Sequence, residues 1–154
     1  VEISNVIAEA VDQCEVLAEA RKISINLDGV QNVIVVGNRE QLVMAVHNLV
    51  ENAINYSSEG TNVVISSKLD DGLIEILVKD QGLGIAEENL DRIFERFYRV
   101  DPARSRATGG TGLGLSIVKH VITNHGGEVK VWSSMGVGST FAIRLPIANE
   151  GAGI

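Results

Sequence analysis

The 154-residue chain holds a single cysteine, Cys14. One cysteine excludes an internal disulfide and a multi-cysteine metal site, and it suits a reducing, cytosolic setting. No apolar run reaches the length that spans a bilayer, and no signal-peptide pattern opens the chain. Net positive charge is missing too, since the formal balance is −7. A nucleic-acid binder needs a basic face to displace counterions from phosphates, so the composition argues against that class. Aromatic residues are scarce at 4%, which makes any cluster of them informative. The chain starts at Val1 rather than Met. The expectation is a fragment, with any membrane segment or partner domain left out.

What is present suffices for one domain with a real core. The apolar fraction is an ordinary 45%, unlike a disordered tail. Val6, Ile7, Ala10, Val11, Cys14, Leu17 and Ala18 recur at helical spacing, and Ser4 or Asn5 is placed to cap that helix. "ISINLD" (23–28) alternates like a half-buried strand, and "VIVVG" (33–37) reads as a second, apolar one. A long helix follows from Asn38 to Ser57, with Leu42, Ala45, Val46, Leu49, Ala53 and Ile54 on its core side. "TNVVISSKL" and "LIEILVKD" read as strands around a turn at Asp70-Asp71-Gly72. "EENLDRIFERF" (87–97) reads as a short helix, and Val118 to Asn124 belongs to another that ends at Gly126-Gly127. "EVKVWS" and "STFAIRLP" close the chain as two strands. Mixed helices and hairpins predict an α+β two-layer sandwich: a mixed, mostly antiparallel sheet of about five strands, with three main helices on one face.

Four stretches carry possible chemistry. Gly109, Gly110, Gly112 and Gly114 precede a helix. Glycines let backbone N–H groups approach an anion, and the helix start adds unpaired N–H groups and a positive dipole end. The same pattern also describes a flexible linker before a helix. Neither a P-loop nor a dinucleotide turn fits.

Asn48, Glu51, Asn52 and Asn55 share one face of the long helix. Asparagine is a poor helix former. The stripe is either a solvated face or a set of neutral oxygen ligands for a hard cation bound with phosphates. In "KDQGLGI" (79–85) an apolar strand ends at Asp80, and Gly82 and Gly84 turn the chain. The carboxylate can accept from a ligand amino group, or the stretch is a simple turn. Lastly, Phe94, Phe97 and Tyr98 cluster among Arg92, Arg96, Arg99, Arg104 and Arg106. The aromatics suit core anchors, and the planar guanidinium suits phosphate.

Each stretch is ambiguous alone, but their order is specific. "NLVENAINY", "DQGLGI", "FERFYR" and "GGTGLGL" resemble the N, G1, F and G2 boxes of the ATP-binding catalytic domain of bacterial sensor histidine kinases. The resemblance covers almost the whole chain. The wording from Phe94 to Val121 is especially similar to the phosphate-responsive sensor kinases of actinobacteria.

The resemblance implies the Bergerat ATP-binding fold over residues 1–148, with 149–154 as a flexible tail. It implies ATP and Mg²⁺ as cofactors, with Asn52, and also Asn48, at the metal and phosphates. Glu51 would be a base-like polar neighbour, and Tyr56 would pack by the nucleotide. Asp80 would bind the adenine amino group against a wall shaped by Gly82, Gly84 and Ile85. Arg99 would reach the phosphates at the start of a lid running to about Thr111. Gly110, Thr111, Gly112, Leu113, Gly114 and Leu115 would form the lid hinge and the phosphate-facing helix start.

Family members often carry lysine at the position of Asn55. This asparagine either weakens ATP binding or leaves phosphate contact to Arg99, Arg104 or Arg106. Gyrase-like relatives carry a general-base glutamate where this chain has Asn48, so efficient hydrolysis by water is disfavoured. His47, His120 and His125 lack the acidic-flanked context of an acceptor histidine. The implied partners are therefore a separate dimerisation and phosphoacceptor domain and a response regulator, with no nucleic acid and no membrane contact by this domain. The implied setting is the cytoplasm, with the full-length protein anchored in the membrane. The alternatives are a gyrase-like ATPase of the same fold and an inactive nucleotide-binding docking module.

Overall fold

A computed structural model describes residues 1–90, 92–95 and 114–148. The order is α1 (Ile3–Ala20), β1 (Ser24–Leu27), α2 (Arg39–Tyr56), β2 (Asn62–Asp70), β3 (Leu73–Lys79), α3 (Glu87–Leu90), α4 (Gly114–Asn124), β4 (Glu128–Ser134) and β5 (Gly138–Pro146). The strands form one five-stranded sheet in the order β1-β2-β3-β5-β4. β1 pairs with β2 in parallel, and the other pairs are antiparallel. The sheet is therefore mixed and mostly antiparallel, as the sequence implied.

Period-2 alternation decides which side of the sheet is covered. Val63 and Ile65 of β2, Ile74, Ile76 and Val78 of β3, and Phe141, Ile143 and Leu145 of β5 are all buried. They join Ile3, Ile7, Leu42, Leu49 and Ile54 of the helices in one core. Each such side chain gains about 1.5–3 kcal/mol from burial. Phe94 meets Phe141 edge-on, with ring centroids 6.3 Å apart at 83°, so one predicted aromatic anchor does reach this core.

The turns follow their chemistry. Asp71 (φ 48°) and Gly72 (φ 80°) form a two-residue hairpin loop between paired Asp70 and Leu73, where positive φ is required at both positions. Asn38 caps α2, its side chain accepting the Gln41 N–H at 3.0 Å. At the end of α4, Gly126 adopts φ 76°. Its N–H donates to Thr123 O at 3.0 Å, and that of Gly127 to Ile122 O at 2.9 Å, which closes the helix by a Schellman motif.

Three expectations need correction. Residues 33–37 are not a strand of the sheet. Ile34 makes a lone bridge with Glu2, while Val33 O accepts from Ile3 N and Val35 N donates to Val1 O. The segment runs beside the chain's start and finds no ladder. Neither Ser4 nor Asn5 caps α1, because the N-cap is Glu2 and makes no side-chain cap. Instead Asn32 Oδ1 accepts the Ser4 N–H at 3.2 Å. Of the helix expected over 87–97, the described residues show α3 and then turns through Arg92 N→Asn89 O at 3.0 Å and Glu95 N→Arg92 O at 2.9 Å, while residues 91, 96 and 97 lie outside the described residues. Among the described residues, no helix is long and apolar enough to cross a membrane.

Candidate functional site

Asp80 lies just past β3 and is 5% exposed. Its own N–H continues the pairing by donating to Ser139 O at 2.9 Å. Oδ1 accepts two backbone N–H groups, Gly82 at 2.9 Å and Ser139 at 3.1 Å. Burial pushes the carboxyl up from its ordinary value, and these two bonds hold part of that rise back. Both donors fall on one oxygen, so Oδ2 keeps its capacity to accept.

The loop after Asp80 is wedged between two other segments. A Cβ on Gly82 would overlap the Tyr56 carbonyl, and Gly82 makes a bridge with Ser57 at the end of α2. Gly84 has φ +78°, and a Cβ there would overlap the Ser134 carbonyl. These two positions accept no other residue without a backbone shift. Ile85 packs against the core, and its N–H donates to Ser133 Oγ at 2.7 Å.

Along α2, Asn48, Glu51, Asn52 and Tyr56 are half-buried, whereas Asn55 is buried at 7% exposure. Asn55 thus departs from the accessible stripe formed by the other two asparagines. Glu51 is oriented by its neighbour one turn earlier, with Oε2 2.9 Å from His47 Nε2. The other ring nitrogen of His47 lies 3.7 Å from Cys14 Sγ. Burial, then the charges of Glu51 and Glu15, push the Cys14 thiol up to about 12. It is therefore no nucleophile at neutral pH.

The start of α4 reaches α2 at Asn48. A Cβ on Gly114 would sit 3.5 Å from Asn48 Oδ1, and Leu115 packs against the core. Arg99, Gly110, Thr111, Gly112 and Leu113 lie outside the described residues, as do Arg96, Phe97, Tyr98, Arg104, Arg106, Gly109 and the tail at 149–154. Among the described residues no three His, Cys, Asp or Glu side chains group to hold a metal. Carbonyl oxygens of Asn48 and Asn52 are hard, neutral donors suited to magnesium shared with phosphates.

Sequence reasoning passed over Ser133 and Ser139, and it read His125 only as lacking the context of an acceptor histidine. The serines stand behind Asp80 and Ile85 from the last hairpin, and His125 accepts the Asn38 N–H at 3.0 Å. Polar residues flanking "MGVG" were the one local signal for the serines. Their partners are 48 and 59 residues away, so no local pattern identifies them.

Residues 37–149 match the family described as histidine kinase-, DNA gyrase B-, and HSP90-like ATPase. The chain is 51% identical over 146 residues to the sensor-like histidine kinase SenX3 of Mycolicibacterium smegmatis, covering 95% of this chain and 38% of that protein. It therefore spans under two fifths of the curated relatives it matches. The mycobacterial sensor histidine kinase MprB superposes with a TM-score of 0.82 at 31% identity, covering 96% of this chain and 95% of that one. ShkA, solved at full length in complex with AMPPNP, gives 0.82 at 27% identity, covering 97% of this chain and 31% of that one. The mycobacterial matches agree with the actinobacterial likeness of the motifs. The chain belongs to the histidine kinase-, DNA gyrase B- and HSP90-like ATPase family, as an ATP-binding catalytic domain of the sensor histidine kinase type.

Proposed function

We propose that this domain binds Mg-ATP with the base at Asp80 and the triphosphate at the start of α4, and donates the γ-phosphoryl group to a histidine of a separate acceptor domain. The observation that carries this reading is the buried Asp80 carboxylate, with Oδ1 taken by two N–H groups and Oδ2 left to accept. A purine amino group supplies the missing donor. Gly82 and Gly84 bring backbone close on either side, which suits the flat face of a base, with Ile85 and Tyr56 nearby on the same wall.

The rest of the ligand follows α2. Asn48 and Tyr56 stand two turns apart, about 12 Å along the axis, the scale that separates a nucleotide's base from its terminal phosphates. Asn52 lies between them and, with Asn48, would hold magnesium. When bound, the ion neutralises developing charge on the transferring phosphoryl group. The N-terminal N–H groups of α4 face the same end and favour an anion. From the sequence pattern, Arg99 and residues 110–113 complete the phosphate side, and Asn55 stands where a lysine would otherwise add a cation.

Asn48 decides the reaction type. An amide removes no proton from water, so the domain is not equipped as a hydrolase through that position. An acceptor imidazole brings its own nucleophile. Glu51, oriented by His47, is placed to take part as a polar neighbour of the transfer. ATP as the donor puts the domain in the cytoplasm, with a response regulator downstream and the full-length protein anchored in the membrane.

The test mixes the domain with a cognate acceptor domain and γ-labelled ATP. Label on the acceptor histidine, lost with Asp80→Asn and with Asn52→Ala, supports the proposal. Robust Asp80-dependent hydrolysis without any acceptor would replace it by the gyrase-like reading. Tight nucleotide binding with no transfer would indicate a docking module.

A further inference from the structure

We propose that Ser133 is a positioning residue that builds the base pocket from behind Asp80. The inference rests on Asp80 being the base acceptor. The Ser133 hydroxyl sits among three groups contributed by two other segments. It accepts the Ile85 N–H at 2.7 Å, and it lies 3.1 Å from the Gly138 carbonyl and 2.8 Å from the Ser139 hydroxyl. A hydroxyl has one proton and two acceptor sites. It can therefore take the Ile85 N–H while donating its own proton towards β5. Ser139, the next link, ends its backbone N–H on Asp80 Oδ1 at 3.1 Å.

One side chain on β4 thus ties the far end of the loop that follows Asp80 to the strand that orients the carboxylate. The hairpin meets that loop at further points. Gly136 N donates to Leu83 O at 2.8 Å. A Cβ on Gly84 would overlap the Ser134 carbonyl, and one on Gly138 the Asp80 carbonyl. Those contacts press backbone on backbone and fix the distance between hairpin and loop. The Ser133 hydroxyl adds direction, because hydrogen bonds weaken steeply off axis. Without it the loop can rotate relative to Asp80, and the wall at Gly82–Ile85 no longer keeps one geometry to Oδ2. Ser133 itself touches no ligand in this account and acts through Ile85 and Ser139.

The consequence is selective. Losing Ser133 should weaken recognition of the base and leave the phosphate end alone. Calorimetric titration with non-hydrolysable ATP and GTP analogues and Mg²⁺ measures both. Ser133→Ala is expected to raise Kd for the ATP analogue about 3- to 10-fold, the loss that one ordinary hydrogen bond represents, with a smaller change for the GTP analogue. The preference for adenine therefore narrows. Ser133→Thr keeps the hydroxyl and should restore it. A merely structural role would lower Tm in Ser133→Ala and leave the ATP-to-GTP ratio unchanged, which overturns the inference. Asp80→Asn separates the two levels. If it abolishes the preference while Ser133→Ala does not alter it, Ser133 is no positioning residue and the Asp80 reading stands. If Asp80→Asn also preserves the preference, or the unsubstituted chain binds neither analogue, the Asp80 reading fails and this inference falls with it.

Discussion

His125 Nε2 accepts the backbone N–H of Asn38 at 3.0 Å, while its Nδ1 lies 2.7 Å from the Val121 carbonyl. With Nε2 accepting, Nδ1 is the ring nitrogen placed to donate to that carbonyl. The end of α4 is thereby tied to the start of α2. Gly114 meets Asn48 at the opposite end, so α4 is held against α2 along its length. His125→Ala removes both bonds and should cost about 2 kcal/mol of stability. Urea unfolding at pH 7 checks it. Unchanged stability would show that packing alone holds the helix.

Gly84 and Gly136 have nearly the same conformation, φ +78° and +80°, but different surroundings. Nothing lies within 4 Å of a Cβ at Gly136, whereas one at Gly84 would overlap the Ser134 carbonyl. Gly136→Ala should cost only the left-handed penalty, about 1–2 kcal/mol. Gly84→Ala should cost clearly more and weaken nucleotide binding as well. Paired thermal melts separate the two contributions, and equal losses would contradict the close approach.

These residues also show where sequence reasoning reached. The start of α2 at Asn38, the turn at Asp70-Asp71-Gly72, the double-glycine stop after α4 and the core stripe of α2 are local devices. Their residue types dictate their geometry, and all four were legible. Residues 33–37 have the apolar content of a strand but found only a lone bridge partner, which no local pattern reveals. The start of α1 is served by Asn32, 28 residues from Ser4, so the nearby Ser4 and Asn5 misled. At the site, Asp80 and its glycines stood out by motif. Ser133 and Ser139 did not, since their contacts depend on the β4–β5 hairpin lying beside β3 and the loop that follows it. Asn55 looked equivalent to Asn48 and Asn52 by spacing, and packing buried it.

Glu75 is 2% exposed on the sheet face opposite the helices, between Arg144 Nε at 2.5 Å and Lys68 Nζ at 3.3 Å. The register places these three side by side across β2, β3 and β5. Burial alone would raise the carboxyl. The hydrogen bonds and charges of Arg144 and Lys68 outweigh it and set Glu75 below the ordinary value of 4.5. A depressed acid contributes fully above its unfolded value, and the contribution is lost as pH falls through the folded one. Glu75→Gln should therefore be less stable than the natural chain at pH 7, with the two Tm curves converging as pH drops below about 4.5. Parallel curves would show that ionisation of Glu75 contributes nothing.

Asp80 has the opposite sign. Its carboxyl is raised mainly by burial, so the unliganded fold loses stability as pH climbs from the ordinary aspartate value through the raised one. Asp80→Asn keeps an Oδ1 for the Gly82 and Ser139 N–H groups and removes the buried charge. Its Tm without nucleotide should equal or exceed that of the natural chain at pH 7. A large drop would mean that the charge itself holds the loop.

Calorimetric titration of a non-hydrolysable ATP analogue with Mg²⁺, on this chain and on its Asp80→Asn variant, tests the central claim most directly. The account predicts saturable one-site binding by the natural chain and its collapse in a variant that remains folded. Equal affinity in the two proteins would contradict the assignment of the base to Asp80.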